Sequence, residues 1–208
     1  MSKRLYLPPK HHIPILEDPV NFYYIPVFRS FFLKRLELVL SFVEGDNLGR
    51  ALDIGCASGI LFPELARRSS SMVGMDNFLQ EHSLKGLMRN EGFRADILWG
   101  DATANPFKKD TFDTVICIST LEHIEDSVGV LQDIRSIIKP GGRLLAGFPV
   151  RNFITNNLLG ESTGFHIASH RQILNAADKV FEDVKVKHYP RWFPLDYSLY
   201  CAFLGIKI

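Results

Sequence analysis

The polar and apolar positions of this chain change period several times. From Val27 to Val43 the apolar residues Phe28, Phe31, Phe32, Leu36, Leu38, Val39 and Phe42 recur at helical spacing among Arg29, Lys34, Arg35 and Glu37, which predicts an amphipathic helix. Short apolar runs then alternate with helix-period segments: strand 50–54, helix 60–68, strand 71–76, helix 78–90, strand 95–99, strand 114–119, and a helix near 128–138. Lys139-Pro140-Gly141-Gly142 should stop that helix before a strand at 143–148. A helix over 170–177 behind a Ser169 cap, a strand at 181–188 and an apolar run over 198–208 complete the series. Such alternation predicts an α/β fold with five parallel strands, and the last two runs would bring the sheet to seven.

The first 26 residues break the pattern. Pro8, Pro9, Pro14, Pro19 and Pro26 interrupt any long helix, so this stretch should be an extended arm lying on the body. The expected division is therefore an arm and amphipathic helix over 1–44 and a main body over 45–208, together one domain, a size that 208 residues suit. The amphipathic helix is read as the cover of one side of the sheet. The alternative, a membrane-surface or partner-binding helix, is kept open by its aromatic richness and would allow peripheral membrane contact.

Composition narrows the classes. A chain that is 46% hydrophobic and 23% charged is an ordinary folded protein. With 24 basic and 23 acidic residues the formal net charge is +1, and within the main body Arg67-Arg68 and Lys108-Lys109 are the tight basic pairs, so no nucleic-acid footprint is visible. Cys56, Cys117 and Cys201 are an odd count without a Cys-x-x-Cys pair, which argues against a disulfide framework or a zinc site and for a reduced, cytoplasmic setting. No stretch reaches the roughly 18 apolar residues of a membrane span, and the first residues do not read as a signal peptide.

The chemistry begins at Arg50-Ala-Leu-Asp-Ile-Gly-Cys-Ala-Ser-Gly59, an apolar strand ending in an acid and a turn. Gly55 and Gly59 permit positive φ and close backbone approach, and a helix started after them would aim free N–H groups at a ligand. Asp76 ends the second strand 23 positions after Asp53 (76 − 53), the offset at which an acid can accept from ribose hydroxyls; otherwise it is a helix cap. In an open parallel sheet these residues and Gly100-Asp101-Ala102 all follow strand ends, where ligands bind.

The chain lacks the third glycine of the dinucleotide fingerprint Gly-x-Gly-x-x-Gly, with Ala57 standing where a middle glycine would be, and it has no clear catalytic Tyr-x-x-x-Lys. Asp53, the Gly55 to Gly59 loop, Asp76 and Asp101 together resemble the class I, Rossmann-like S-adenosylmethionine-dependent methyltransferases, over about residues 45–208, and the segment Leu121-Glu122-His123 is similar to that of small-molecule members of the type 11-like subgroup. The resemblance implies a three-layer sandwich around a seven-stranded, mostly parallel sheet whose last strand is antiparallel. It implies S-adenosylmethionine as cofactor, with Asp53, Gly55, Cys56, Ala57 and Gly59 around the methionine end, Asp76 and Asn77 at the ribose, Asp101 and Ala102 at the adenine, and Ser119 near the methyl group.

His123 is then a candidate general base for the acceptor, or a structural hydrogen-bonding residue, and His166 a second candidate on a substrate-facing loop with His170. His166 and His170 are spaced i, i+4, but no glutamate lies between them and Ser169 should interrupt the helix, so no metal site is expected. The chain has neither Asp-Pro-Pro-Tyr nor Asn-Pro-Pro-Tyr, the mark of the family's base-methylating enzymes, so a small or lipid-like acceptor fits better than nucleic acid. Tyr189, Trp192, Phe193, Tyr197 and Tyr200 either line the cleft or, as aromatics more often do, pack between the final strands and helices. The competing readings are a nicotinamide-dinucleotide oxidoreductase and a non-catalytic binding module of the same fold. No residue pattern selects the acceptor atom or an oligomeric state.

Overall fold

The computed structural model describes residues 5–13, 20–43, 45, 47–153, 155 and 166–208. Pro14, Pro19, Gly164, Phe165 and the expected boundary residue Glu44 lie outside them.

Among the described residues seven strands form one sheet: β1 (Gly49–Ile54), β2 (Ser69–Asp76), β3 (Asp96–Trp99), β4 (Phe112–Ile118), β5 (Ile138–Pro149), β6 (Asp183–Tyr189) and β7 (Tyr200–Ile206). Their order is β3-β2-β1-β4-β5-β7-β6, with β7 antiparallel to both neighbours and every other pairing parallel. The sequence reverses direction between β1 and β4, which puts the crevice beyond their carboxyl ends.

Alternation along the strands sorts the core into two layers. Leu52, Ile54, Leu144, Ala146, Phe148 and Phe203 face α4 (Ser127–Ile137) and α5 (His170–Val180). Ala51, Ile116, Leu145, Ala202 and Leu204 face α1 (Pro26–Leu40), α2 (Phe62–Arg68) and α3 (Glu81–Glu91). The helix expected at 27–43 starts on Pro26, whose missing N–H costs nothing in a first turn, and buries Phe32, Leu36, Val39 and Leu40 against the sheet. It is the sheet cover, although Val27 remains 83% exposed at its start.

The arm has no strand or α-helix among its described residues, only short 3₁₀ turns at Lys10–His12 and Val20–Tyr23. It is pinned by Glu91, which accepts from the Tyr6 hydroxyl at 2.8 Å and lies 2.5 Å from His12 Nδ1, and by Glu64, which accepts the Tyr6 N–H at 3.0 Å. Leu5, Ile13, Val20 and Tyr23 are buried there.

Among the boundaries that differ from the periodicity, two have a clear local reason. Lys139-Pro140-Gly141-Gly142 lies inside β5: pairing runs Phe112 to Ile138 and then Thr114 to Arg143, so four residues bulge opposite one. Asp113 ties the bulge, accepting from Lys139 Nζ at 2.8 Å and the Arg50 N–H at 2.8 Å. Helix α3 begins at Glu81, not at Phe78, because the Asp76 carboxylate accepts the Phe78 N–H and holds residues 76–78 in a turn.

Candidate functional site

A cleft of about 810 Å³ opens at the carboxyl ends of β1, β2 and β4. The loop after β1 forms one wall. Gly55 sits at φ 74°, and a β-carbon there would stand 2.0 Å from Thr120 Oγ1, so only glycine fits. Ala57 also takes a positive φ, 44°, without that freedom, and its N–H is fixed by Asp76 Oδ2 at 2.8 Å.

The loop does not present a row of free donors. The N–H groups of Gly55 and Cys56 both donate to the Met75 carbonyl, the Ala57 N–H is taken by Asp76, and α2 starts only at Phe62. Its contribution is shape: a backbone held close to the cleft. Asp76, with Oδ2 on Ala57 and Oδ1 on Phe78, does not cap α3, whose N-cap is Gln80; it joins the two turns that flank the cleft.

Of the expected cofactor residues, Gly55, Ala57, Asp76, Asn77, Asp101, Ala102 and Ser119 line the cleft together, while Asp53, Cys56 and Gly59 lie behind its surface. Cys56 is buried against the α2 layer, and burial pushes its thiol above its usual range. Gly59 packs beneath Leu84. Asp53 is 5% exposed, accepts no hydrogen bond among the described residues, and is pushed up to about 8 by burial and by the charge of Asp76. Asp101 accepts from the Thr103 N–H at 2.8 Å and the Thr103 hydroxyl at 2.7 Å on one oxygen; these bonds hold its pKa below the ordinary value.

Glu125 and Asp126 add two more acids to the lining, and Ile13 and Val20 bring the arm into it, a contribution the proline-rich pattern did not announce. Carboxylates clustered on a concave site suit a cationic ligand with ribose and amine groups, because a carboxylate has lone pairs beyond those its protein donors occupy.

Ser119 follows β4, one residue before the Thr120 that abuts Gly55, at φ 56°, with its N–H on the Gly147 carbonyl at 2.7 Å. Its Oγ accepts from Arg35 Nη2 of α1 and lies 3.0 Å from the Tyr200 hydroxyl. His123 lines the cleft, exposed, and its ring meets that of His166 at 5.1 Å, edge on. Glu122 is 2% exposed, its Oε2 has no partner, and burial pushes its pKa up to about 7 while Arg35 pulls it back.

Among the described residues, the ligand-type atoms of Glu122, His123 and His166 all lie within 4.8 Å of one another, the set that could share an ion. The His166/His170 pair does not form. His170 is the buried first residue of α5, with Nε2 on Asp196 at 2.9 Å and Nδ1 accepting the Arg151 N–H at 3.3 Å, whereas His166 precedes the Ser169 cap. Of the C-terminal aromatics, Tyr200 is buried under Ser119, while Trp192 and Tyr197 are 77% and 60% exposed and pack in neither expected way. No helix among the described residues is long and apolar enough to cross a membrane.

Strand order, glycine loop and acid positions define a Rossmann-like domain with a nucleotide-type cleft. The family described as methyltransferase domain matches residues 52–146. The ubiquinone biosynthesis O-methyltransferase of Paracidovorax citrulli is 32% identical over 96 residues, 45% of this chain and 40% of that protein. The enzyme of the same name from Aliivibrio fischeri is 28% identical over 72% of this chain and 62% of its own length. The chain thus spans about half the length of the curated relatives it matches. A solved S-adenosylmethionine-dependent methyltransferase from Thermotoga maritima shares the fold, with a TM-score of 0.66 at 23% identity over 95% of this chain and all of that one. A phosphoethanolamine N-methyltransferase of Haemonchus contortus in complex with S-adenosylhomocysteine gives 0.66 at 18%, over 84% of this chain and 52% of that one. Residues 52–146 thus match the methyltransferase domain, and the fold of the chain is the Rossmann-like one of solved S-adenosylmethionine-dependent methyltransferases.

Proposed function

We propose that this protein binds S-adenosylmethionine and transfers its methyl group to a small acceptor. The observation that carries the reading is the Asp76 carboxylate, locked between the glycine loop and the Phe78 turn and facing the same cleft as Asp101. Asp76 and Asn77 would hold the ribose, Asp101 and Ala102 the adenine, and Asp53 behind the loop would balance the positive methionine end. The cofactor supplies an electrophilic methyl group when bound.

The chain's own work is alignment and exclusion of water. Ile13 and Val20 close one side with apolar surface, and Ser119, braced by Arg35 and Tyr200, shapes the wall after β4. His123 is placed to take the acceptor's proton. His166 beside it is held down to about 4, first by burial, so at neutral pH it stays uncharged. Three buried free thiols accord with a cytoplasmic setting.

Calorimetric titration with S-adenosylhomocysteine, NAD as comparison and Asp76→Ala as control, tests the reading. Binding weakened by about tenfold or more in Asp76→Ala supports it; no binding, or preference for NAD, overturns it.

A further inference from the structure

Three ligand-type side chains come together where the turn after β4 meets the segment that leads into α5. Glu122 and His123 lie in a short 3₁₀ turn, Leu121–His123, in which the His123 N–H donates to the Thr120 carbonyl at 3.1 Å. His166 is carried in from the other side: the N–H groups of Ile167 and Ala168 both donate to the Glu122 carbonyl, at 2.8 and 3.0 Å. Two backbone bonds on one carbonyl hold the chain at His166 against the turn, so the meeting of the three side chains follows from the fold.

A carboxylate oxygen of Glu122 and one ring nitrogen each of His123 and His166 lie within 4.8 Å of one another, and the two rings meet at 5.1 Å. Glu122 is 2% exposed, and its Oε2 has no hydrogen-bond partner among the described residues. A buried carboxylate oxygen without a donor is costly, and a bound cation removes that cost. Two imidazoles and one carboxylate suit Zn²⁺ or Mn²⁺, whereas Mg²⁺ and Ca²⁺ prefer oxygen throughout. Donors on one Zn²⁺ at about 2.0–2.1 Å stand about 3.4 Å apart in a tetrahedron, so the set has to close by about 1.4 Å at most, which the exposed His123 ring can do by turning. Arg35, felt by Glu122 and His166, and Arg151, felt by His166, oppose a further cation by repulsion and keep the expected affinity on the order of micromolar.

We propose that Glu122, His123 and His166 bind one divalent transition-metal ion of the Zn²⁺ or Mn²⁺ class at the edge of the cleft. The site itself goes beyond the methyltransferase reading; its use by the acceptor rests on that reading. Three protein ligands leave a position open on such an ion, and His123 lines the cleft, so an acceptor hydroxyl reaching that position would give up its proton to water more readily. His123 would then act on the acceptor through the ion, not as a base of its own.

The test titrates the full chain with Zn²⁺ by calorimetry in the absence of cofactor. The expected result is one Zn²⁺ per chain, bound about tenfold or more weakly in His166→Ala and in Glu122→Gln, while both variants keep the wild-type circular dichroism and bind S-adenosylhomocysteine within about twofold of wild type. His123→Ala, at an exposed position, should weaken Zn²⁺ likewise and still decides the matter if a more buried substitution disturbs the fold. Co²⁺ in place of Zn²⁺ reads the ligand type, because a thiolate from Cys56, Cys117 or Cys201 would add an ultraviolet charge-transfer band that nitrogen and oxygen donors do not give. Absence of stoichiometric binding, binding that survives the substitutions, or a thiolate band overturns the proposal. Failure of S-adenosylhomocysteine to bind the wild-type chain would strike the cofactor reading, and the Zn²⁺ titration would still decide this one.

Discussion

Two parts of the cleft are built by opposite routes. The acidic end is local: Asp76 holds Ala57 across 19 positions and Phe78 across two, and Asp101 is tied to Thr103 in its own turn. The Ser119 wall is assembled from afar, with Arg35 meeting Ser119 across 84 positions and Tyr200 meeting Ser119 across 81. Local bonds fix a backbone shape that a short motif can encode. Long-range bonds require the sheet, α1 and the last strand all to be in place before the site exists, so this wall depends on the whole fold.

The contrast can be broken first at the acidic end. Gly55→Val places a side chain against Thr120 at a left-handed φ and should cost about 3 kcal/mol or more, with loss of S-adenosylhomocysteine binding, read by urea denaturation and calorimetry. Next is pH. Asp53 keeps its proton in the folded chain up to about 8, whereas an unfolded aspartate loses it near 4, so folding takes up a proton between those values. Its contribution to the stability of the ligand-free protein is present in full below about pH 4 and is lost as pH rises toward 8, by on the order of 5 kcal/mol in all. Asp53→Asn should flatten that slope in thermal melts at about pH 4.5, 6 and 8; an unchanged slope would show that another group carries it.

At the Ser119 wall, Ser119→Ala removes the hydroxyl that Arg35 and Tyr200 share and should cost about 2 kcal/mol while leaving S-adenosylhomocysteine affinity within about twofold. A large loss of cofactor binding would show that the two parts are one unit. The smallest effect should come from Ser169→Ala, which removes one half of the capping box with Gln172: about 1 kcal/mol in denaturation midpoint and no change in either part of the cleft.

The same division governs what could be read from the chain alone. The central strands, the Gly55 to Gly59 loop, Asp76 and Asp101 were legible because period and turn chemistry act within a few residues. The Ser169 cap was legible for the same reason, and its partner Gln172 was the additional signal. Arg35 looked like one more polar-face residue of an amphipathic helix; nothing near it in sequence announces that its guanidinium is buried beside Ser119. Ile13 and Val20 were hidden by the prolines around them, which break helices but say nothing about what the arm covers. The i, i+4 spacing of His166 and His170 misled because that rule holds only within a helix, and α5 starts at the second of them.

Helix α1 precedes residues 52–146, the stretch matched by the family as a whole. A single guanidinium from outside that shared core therefore braces Ser119, a residue of the cleft wall. In such an architecture the common core can be inherited unchanged while the appended helix is exchanged, and preference for one acceptor over another would travel with the appendage. Relatives aligned only on their central strands would then look interchangeable, although the groups that tell them apart lie on a piece that the alignment leaves out.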